Sequence, residues 1–134
     1  IMGALAEGVM TNNGNLISIV PKYFQDKKIL SKSSNKTIFT KDFFERKKTM
    51  IKFADIFLVL PGGYGTLDEL FEVISLNQLN IINKKIVLLD INNFWSSLKK
   101  LIRDLKNNGF LYTRDNITYK SSVAKTIEFI ENSL

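Results

Sequence analysis

Apolar and polar positions along the chain switch between the period of a helix and that of a strand, and the switches divide it into short alternating elements. Ile1 to about Thr11 reads as a helix of small residues, and Asn15 to Val20 as a strand closed by Pro21. Lys22 to Thr40 is a polar connection in which Thr37-Ile38-Phe39 is a candidate for extended backbone. Asp42 is placed to cap a helix running to Phe53, and the run Asp55 to Leu60 suits a strand buried on both faces. The pattern then predicts a helix from Thr66 to about Asn80, a strand at Ile86 to Asp90, a helix from about Asn93 to Asn108 ended by Gly109, and a last helix near Ser121 to Asn132. That order, βαβαβα, predicts an α/β fold: a parallel sheet with helices on both faces, whose ligands bind at the carboxyl ends of the strands.

Composition narrows the chemistry. At 134 residues, 45% of them hydrophobic, the chain is expected to fold as one domain with a real core. It contains neither cysteine nor histidine, which removes disulfides, thiolate metal sites and the Ser-His and Cys-His catalytic pairs. Asp, Glu, Lys, Arg, Ser, Thr and Tyr are left to do any chemistry. No apolar run approaches the length of a membrane span and no basic segment leads into an apolar one at the start, so a cytoplasmic protein is expected. The net charge of +6 comes from cations spread in short groups such as Lys27-Lys28, Arg46-Lys47-Lys48 and Lys84-Lys85, without interleaved aromatics. This reads as a solvated basic surface rather than a polynucleotide groove, and it is compatible with a small anionic ligand.

The segment VLPGGYGTLDELFE, Val59 to Glu72, concentrates the candidate chemistry. Pro61 ends a strand, while Gly62, Gly63 and Gly65 permit positive φ and carry no Cβ, so the N–H groups around Tyr64 and Thr66 can converge at the positive end of a helix. The result is an anion cradle suited to phosphate. It is neither the Gly-Lys-Ser/Thr loop of P-loop proteins nor the dinucleotide fingerprint, which needs a later third glycine. A bare strand-to-helix turn without ligand is the simpler alternative. Thr66-x-x-Glu69 likewise matches a capping box, in which Glu69 would only bond back to the helix start. On a wheel of about 100° per residue, Leu67, Leu70, Phe71 and Ile74 form the predicted core stripe, and Glu69, Glu72, Leu76 and Leu79 form a second one suited to a subunit contact. In the preceding helix, Phe43, Phe44, Met50, Ile51, Phe53 and Ala54 define the apolar arc; Arg46 and Lys47 project within it, either snorkelling to solvent or pointing into a cleft.

Taken together, "ERKKTM" and "ADIFLVLPGGYGTLDELFEVISLNQL" resemble the RKxxM and PGGxGTxxE motifs of the LOG (lonely guy) family, formerly labelled lysine decarboxylase-like. "IMGALAEG" and "ISIVPKYF" are similar to earlier parts of the same family. The resemblance implies a Rossmann-like fold, here lacking its N-terminal strands, and a homodimer. It also implies hydrolysis of the N-glycosidic bond of an adenine-type, cytokinin-like nucleoside 5′-monophosphate to free base and ribose 5-phosphate, with no metal or redox cofactor. Carried over by motif, Arg46 and Glu69 are the catalytic pair, and Lys47, Gly62, Gly63, Tyr64, Gly65, Thr66 and Ser75 are substrate contacts. Lys28 stands where many members place a substrate-contacting glutamate, and Phe43-Phe44 replaces a common Met-His pair. A nucleotide-binding module of the same fold that performs no hydrolysis is the alternative; binding to a polynucleotide is a third, weaker reading.

Overall fold

The computed structural model describes residues 1–25, 34–111 and 116–134. The described residues form two compact units, Ile1–Phe53 and Ala54–Leu134. The first contains helix α1 (Met2–Thr11), strands β1 (Ile17–Pro21) and β2 (Lys36–Thr40), and helix α2 (Phe43–Phe53). The second contains β3 (Ile56–Val59), α3 (Tyr64–Gln78), β4 (Lys85–Leu89), α4 (Ser96–Asn107), β5 (Ile117–Lys120) and α5 (Val123–Glu131). The chain is thus α/β and Rossmann-like, with parallel strands flanked by helices. No helix among the described residues is long and apolar enough to cross a membrane. Lys28 lies outside the described residues.

In the first unit β1 and β2 pair in parallel, from Ile17 opposite Lys36 to Pro21 opposite Thr40, so Thr37-Ile38-Phe39 is indeed strand. Asp42 caps α2 as its position predicts: its carboxylate accepts from the N–H of Glu45, and the Glu45 carboxylate reaches back to the N–H of Lys41.

The second unit is a parallel sheet of order β3-β4-β5. Two steps in one direction, each made by a right-handed crossover, put α3 and α4 on the same face. Ile86, Val87 and Leu88 of β4 are 0% exposed. Successive strand residues point to opposite faces, so both faces of β4 are covered. Leu70, Val73 and Ile74 of α3 and Leu98 and Ile102 of α4 are buried with them, and α5 packs along β4 and β5.

Four expectations are corrected. The strand buried on both faces is β4; β3, despite its apolar sequence, pairs on one side only among the described residues of its sheet and leaves Leu58 38% exposed. The segment 117–120 is a strand that the sequence pattern passes over, because Ile-Thr-Tyr-Lys is short, mixed and half-buried throughout. The core stripe of α3 runs through Val73 and Asn77 rather than Leu67 and Phe71, a small rotation of the helix that leaves Leu67 half-buried and Phe71 exposed. Helix α4 starts at Ser96, later than about Asn93, because Asn92 and Asn93 both take positive φ and break the helical path.

Helix ends follow the same left-handed chemistry. Gly109, φ +76°, terminates α4 as predicted, and Asn80, φ 54°, does so for α3, whose Leu76 carbonyl accepts from the N–H of Ile81. Asn77 is the polar member of the core: its side-chain amide donates to the Lys84 carbonyl at 2.8 Å and accepts from the Lys84 N–H at 2.9 Å. These two bonds tie α3 to the entrance of β4. Asn77→Ala leaves both Lys84 groups without these partners and is expected to destabilise the fold by about 1–3 kcal/mol, read as a lower urea midpoint at unchanged m value.

Candidate functional site

The carboxyl ends of β3, β4 and β5 lie on one edge of their sheet because all three strands run parallel. The glycine loop leaves β3 at that edge. Gly63 is the N-cap of α3, with φ −100° and ψ −150°, and the helix begins at Tyr64, two residues before the predicted start. Thr66 is therefore the third helical residue, and Thr66-x-x-Glu69 is not a capping box in this structure. The simplest account of Glu69 is removed by that shift; the residue sits half-buried one turn further into the helix.

The three loop glycines have different reasons to be glycine. A Cβ placed on Gly62 would lie 2.2 Å from Thr66 Oγ1 and 2.9 Å from Thr66 Cβ, so the fold itself requires the bare backbone. A Cβ on Gly63 or Gly65 would meet nothing within 4 Å. None of the three has the positive φ that the sequence suggested; Gly109 alone among the described glycines does. Gly63 stands at the N-cap, a position that favours glycine, whereas neither conformational freedom nor the packing of this chain explains Gly65. Their exposed backbone flanks the first N–H groups of a helix of 15 residues that lacks a side-chain cap, an arrangement able to take an anion.

The remaining predicted residues are placed as follows. Tyr64 is exposed on the first turn of α3. Ser75 is exposed on the same helix, nine residues beyond Thr66 or about 14 Å along the axis, so it would meet a different part of a ligand than the loop does. Arg46 and Lys47 belong to the first unit, on α2, where both are half-buried while Glu45, Lys48 and Lys52 are exposed. Lys47 Nζ lies 5.6 Å over the ring of Phe44.

One group on the carboxyl edge escaped the sequence reading. Asp90, at the end of β4, is buried; it accepts from the Trp95 N–H at 2.8 Å and from Lys99 Nζ, whose ammonium also lies 4.7 Å over the Tyr119 ring. Burial pushes its carboxyl up, but the Lys99 hydrogen bond, the Trp95 N–H and the Lys99 charge outweigh that and hold it below the usual carboxylate range. Asp90 is therefore ionised at neutral pH and anchors the start of α4. The Asp-Ile-Asn-Asn run after an apolar strand was its only sequence signal.

An α/β unit with a glycine-rich, anion-competent loop at the carboxyl end of a parallel strand falls in the broad class of Rossmann-like ligand-binding proteins. Within it, residues 2–132 match the family model described as "Possible lysine decarboxylase", and the chain belongs to that family. It is 36% identical over 111 residues to the cytokinin riboside 5′-monophosphate phosphoribohydrolase LOG5 of Arabidopsis thaliana, covering 83% of this chain and 49% of that protein. To LOG1 of the same plant, a protein of the same name, it is 34% identical over 111 residues, 83% of this chain and 52% of that protein. A probable enzyme of this name from Oryza sativa subsp. japonica, LOGL3, is 33% identical over 111 residues, 83% of this chain and 53% of that protein. The chain spans about half the length of the curated relatives it matches.

The two kinds of glycine give a direct test. Gly62→Ala is expected to cost about 1–3 kcal/mol through overpacking against Thr66, whereas Gly65→Ala, inside the helix with open space around it, should leave thermal stability unchanged or raise it by up to about 1 kcal/mol. Differential scanning calorimetry of the two variants distinguishes these outcomes.

Proposed function

We propose that this chain is part of a phosphoribohydrolase that cleaves the N-glycosidic bond of an adenine-type, cytokinin-like nucleoside 5′-monophosphate. The observation that carries the reading is the loop: Gly65 keeps backbone open that the packing of the fold does not need open, on the first turn of a helix whose N-cap, Gly63, offers no side-chain cap. Membership of the family and the names of the related plant enzymes support the same reaction. In this reading Gly62 to Thr66 hold the 5′-phosphate through N–H groups and the helix dipole.

Glu69 and Arg46 are the proposed catalytic pair. Water attacks C1′ of the ribose as the bond from C1′ to the base nitrogen breaks. The base departs with the bonding electrons and takes up a proton, leaving ribose 5-phosphate. Glu69 stabilises the oxocarbenium character at C1′ and orients or deprotonates the water. Arg46 is the cationic member of the proposed pair, and Lys47 contacts the substrate. Ser75 would touch the substrate away from the phosphate. A cytoplasmic homodimer completes the proposal. Leu79 and Ile81 stand exposed at the end of α3, with Leu76 half-buried beside them, and an apolar row of this kind suits a subunit contact.

Incubating the intact protein with a panel of nucleosides and nucleoside monophosphates, with chromatography of the products, tests the reaction. Adenosine monophosphate is expected to release stoichiometric adenine and adenosine to be a poor substrate; intact nucleotide after long incubation would instead mark a binding module. Glu69→Gln preserves size and hydrogen bonding, so it should stay folded yet lose activity by ~100-fold or more. A folded Glu69→Gln variant with near-normal turnover would return that residue to a structural role. For the assembly, light scattering of the intact protein at micromolar concentration should give a dimer, and replacing Leu76 and Leu79 by lysine should give a monomer.

A further inference from the structure

Phe43 and Phe44 open α2 immediately before Arg46 and Lys47, and by sequence they belong to the apolar arc of that helix. The structure leaves them at the surface: Phe44 is 78% exposed and Phe43 47%, while the two cations behind them are half-buried. The usual arrangement of a surface helix is inverted at this end. The exposed aromatics also continue beyond α2. The Phe43 ring meets the Phe24 ring edge-to-face with centroids 5.8 Å apart, and Phe24 meets the exposed Tyr23 in the same way at 5.1 Å.

Their place in the unit is defined by the strands. Pro21 and Thr40 are the paired last residues of parallel β1 and β2. Tyr23 and Phe24 follow Pro21 directly, on the 3₁₀ turn Lys22–Phe24, and Phe43 and Phe44 follow Thr40 across the Asp42 cap. The row therefore lines the carboxyl edge of this two-stranded sheet, the edge at which parallel α/β sheets take ligands. Lys47 Nζ, 5.6 Å from the Phe44 centroid, covers one face of that ring. With the ring so largely exposed, its other face is accessible.

We infer that Phe44, buttressed by Phe43, is a stacking platform for the base of a nucleotide. The inference takes its ligand class from the phosphoribohydrolase reading. Aromatic rings placed just ahead of Arg46 and Lys47 on one helix complement a ligand that is planar and anionic at once, which a nucleoside monophosphate is and an apolar protein surface is not. The cations would balance phosphate charge while the ring accepts the base, and a ring with two soft torsions gives up little rotamer entropy in doing so.

The test is equilibrium binding, which needs no turnover. Isothermal titration with adenosine monophosphate and, separately, with ribose 5-phosphate is compared among the intact Glu69→Gln protein, in which turnover is suppressed, and the same protein carrying in addition Phe44→Ala or Phe44→Trp. Phe44→Ala is expected to weaken adenosine monophosphate binding on the order of tenfold, leave ribose 5-phosphate unchanged, and keep its far-ultraviolet circular dichroism; Phe44→Trp should retain the nucleotide affinity. Three results would each overturn the proposal: unchanged nucleotide affinity in Phe44→Ala, equal loss for both ligands, or a change of oligomeric state by light scattering with nucleotide affinity intact, which would assign the face to a second copy. Tight, base-dependent binding without any release of adenine by the parent protein would sink the hydrolase and leave the platform standing.

Discussion

The second unit depends on the burial of β4. With Ile86, Val87 and Leu88 wholly removed from solvent, the strand must be paired on both edges and covered on both faces. Parallel neighbours meet the first need, and parallel neighbours cannot be joined by hairpins. Helices must make the crossovers, and those helices meet the second need. The same constraint sends every carboxyl end to one edge, so the loop after β3 and Asp90 after β4 share an edge without any direct interaction between them being required. Site placement here is a consequence of core packing.

That edge uses its unusual residues in distinct ways. Gly62 and Asp90 serve the fold: one makes room for Thr66, and the other, charged and paired with Lys99, fixes the start of α4. Gly63 caps α3, while a side chain on Gly65 would meet nothing within 4 Å. The Asp90–Lys99 pair, with its carboxylate buried and its lysine side chain partly exposed, contributes little net stability because desolvation of the carboxylate offsets the attraction, but it helps specify where α4 begins. The contrast between these glycines shows how a motif that reads as one unit in sequence divides into tightly packed and open positions once neighbouring atoms are known.

The first unit shows a different balance. Its helix α2 has a well-formed start, with Asp42 and Glu45 each satisfying a backbone N–H, yet none of its residues is fully buried. Capping is a local interaction and is met locally. Burial is not, and the aromatic end of α2 stays exposed beside half-buried cations.

What the sequence determined by itself was whatever depends on residues close together in the chain. The order of the elements up to α4, the Asp42 cap, the Gly109 terminator, the strand-to-helix position of the glycine loop and the lack of cysteine and histidine were legible, because backbone propensity and capping act over a few residues. Tertiary structure alone decided which strand became the centre. Asp55 to Leu60 and Ile86 to Asp90 carry nearly the same apolar signal, but strand order gives β4 two partners and β3 one. It also decided that 117–120 is a strand, since a short mixed segment pairs only when a neighbour is there to accept it, and that α3 turns Val73 inward and Phe71 outward. The capping-box account of Glu69 failed for a related reason. Thr66 looks like a helix start in sequence, but Gly62 lets it pack back against the loop, and the helix begins two residues earlier; sequence spacing supplies the candidates for a role, and contacts between atoms select among them.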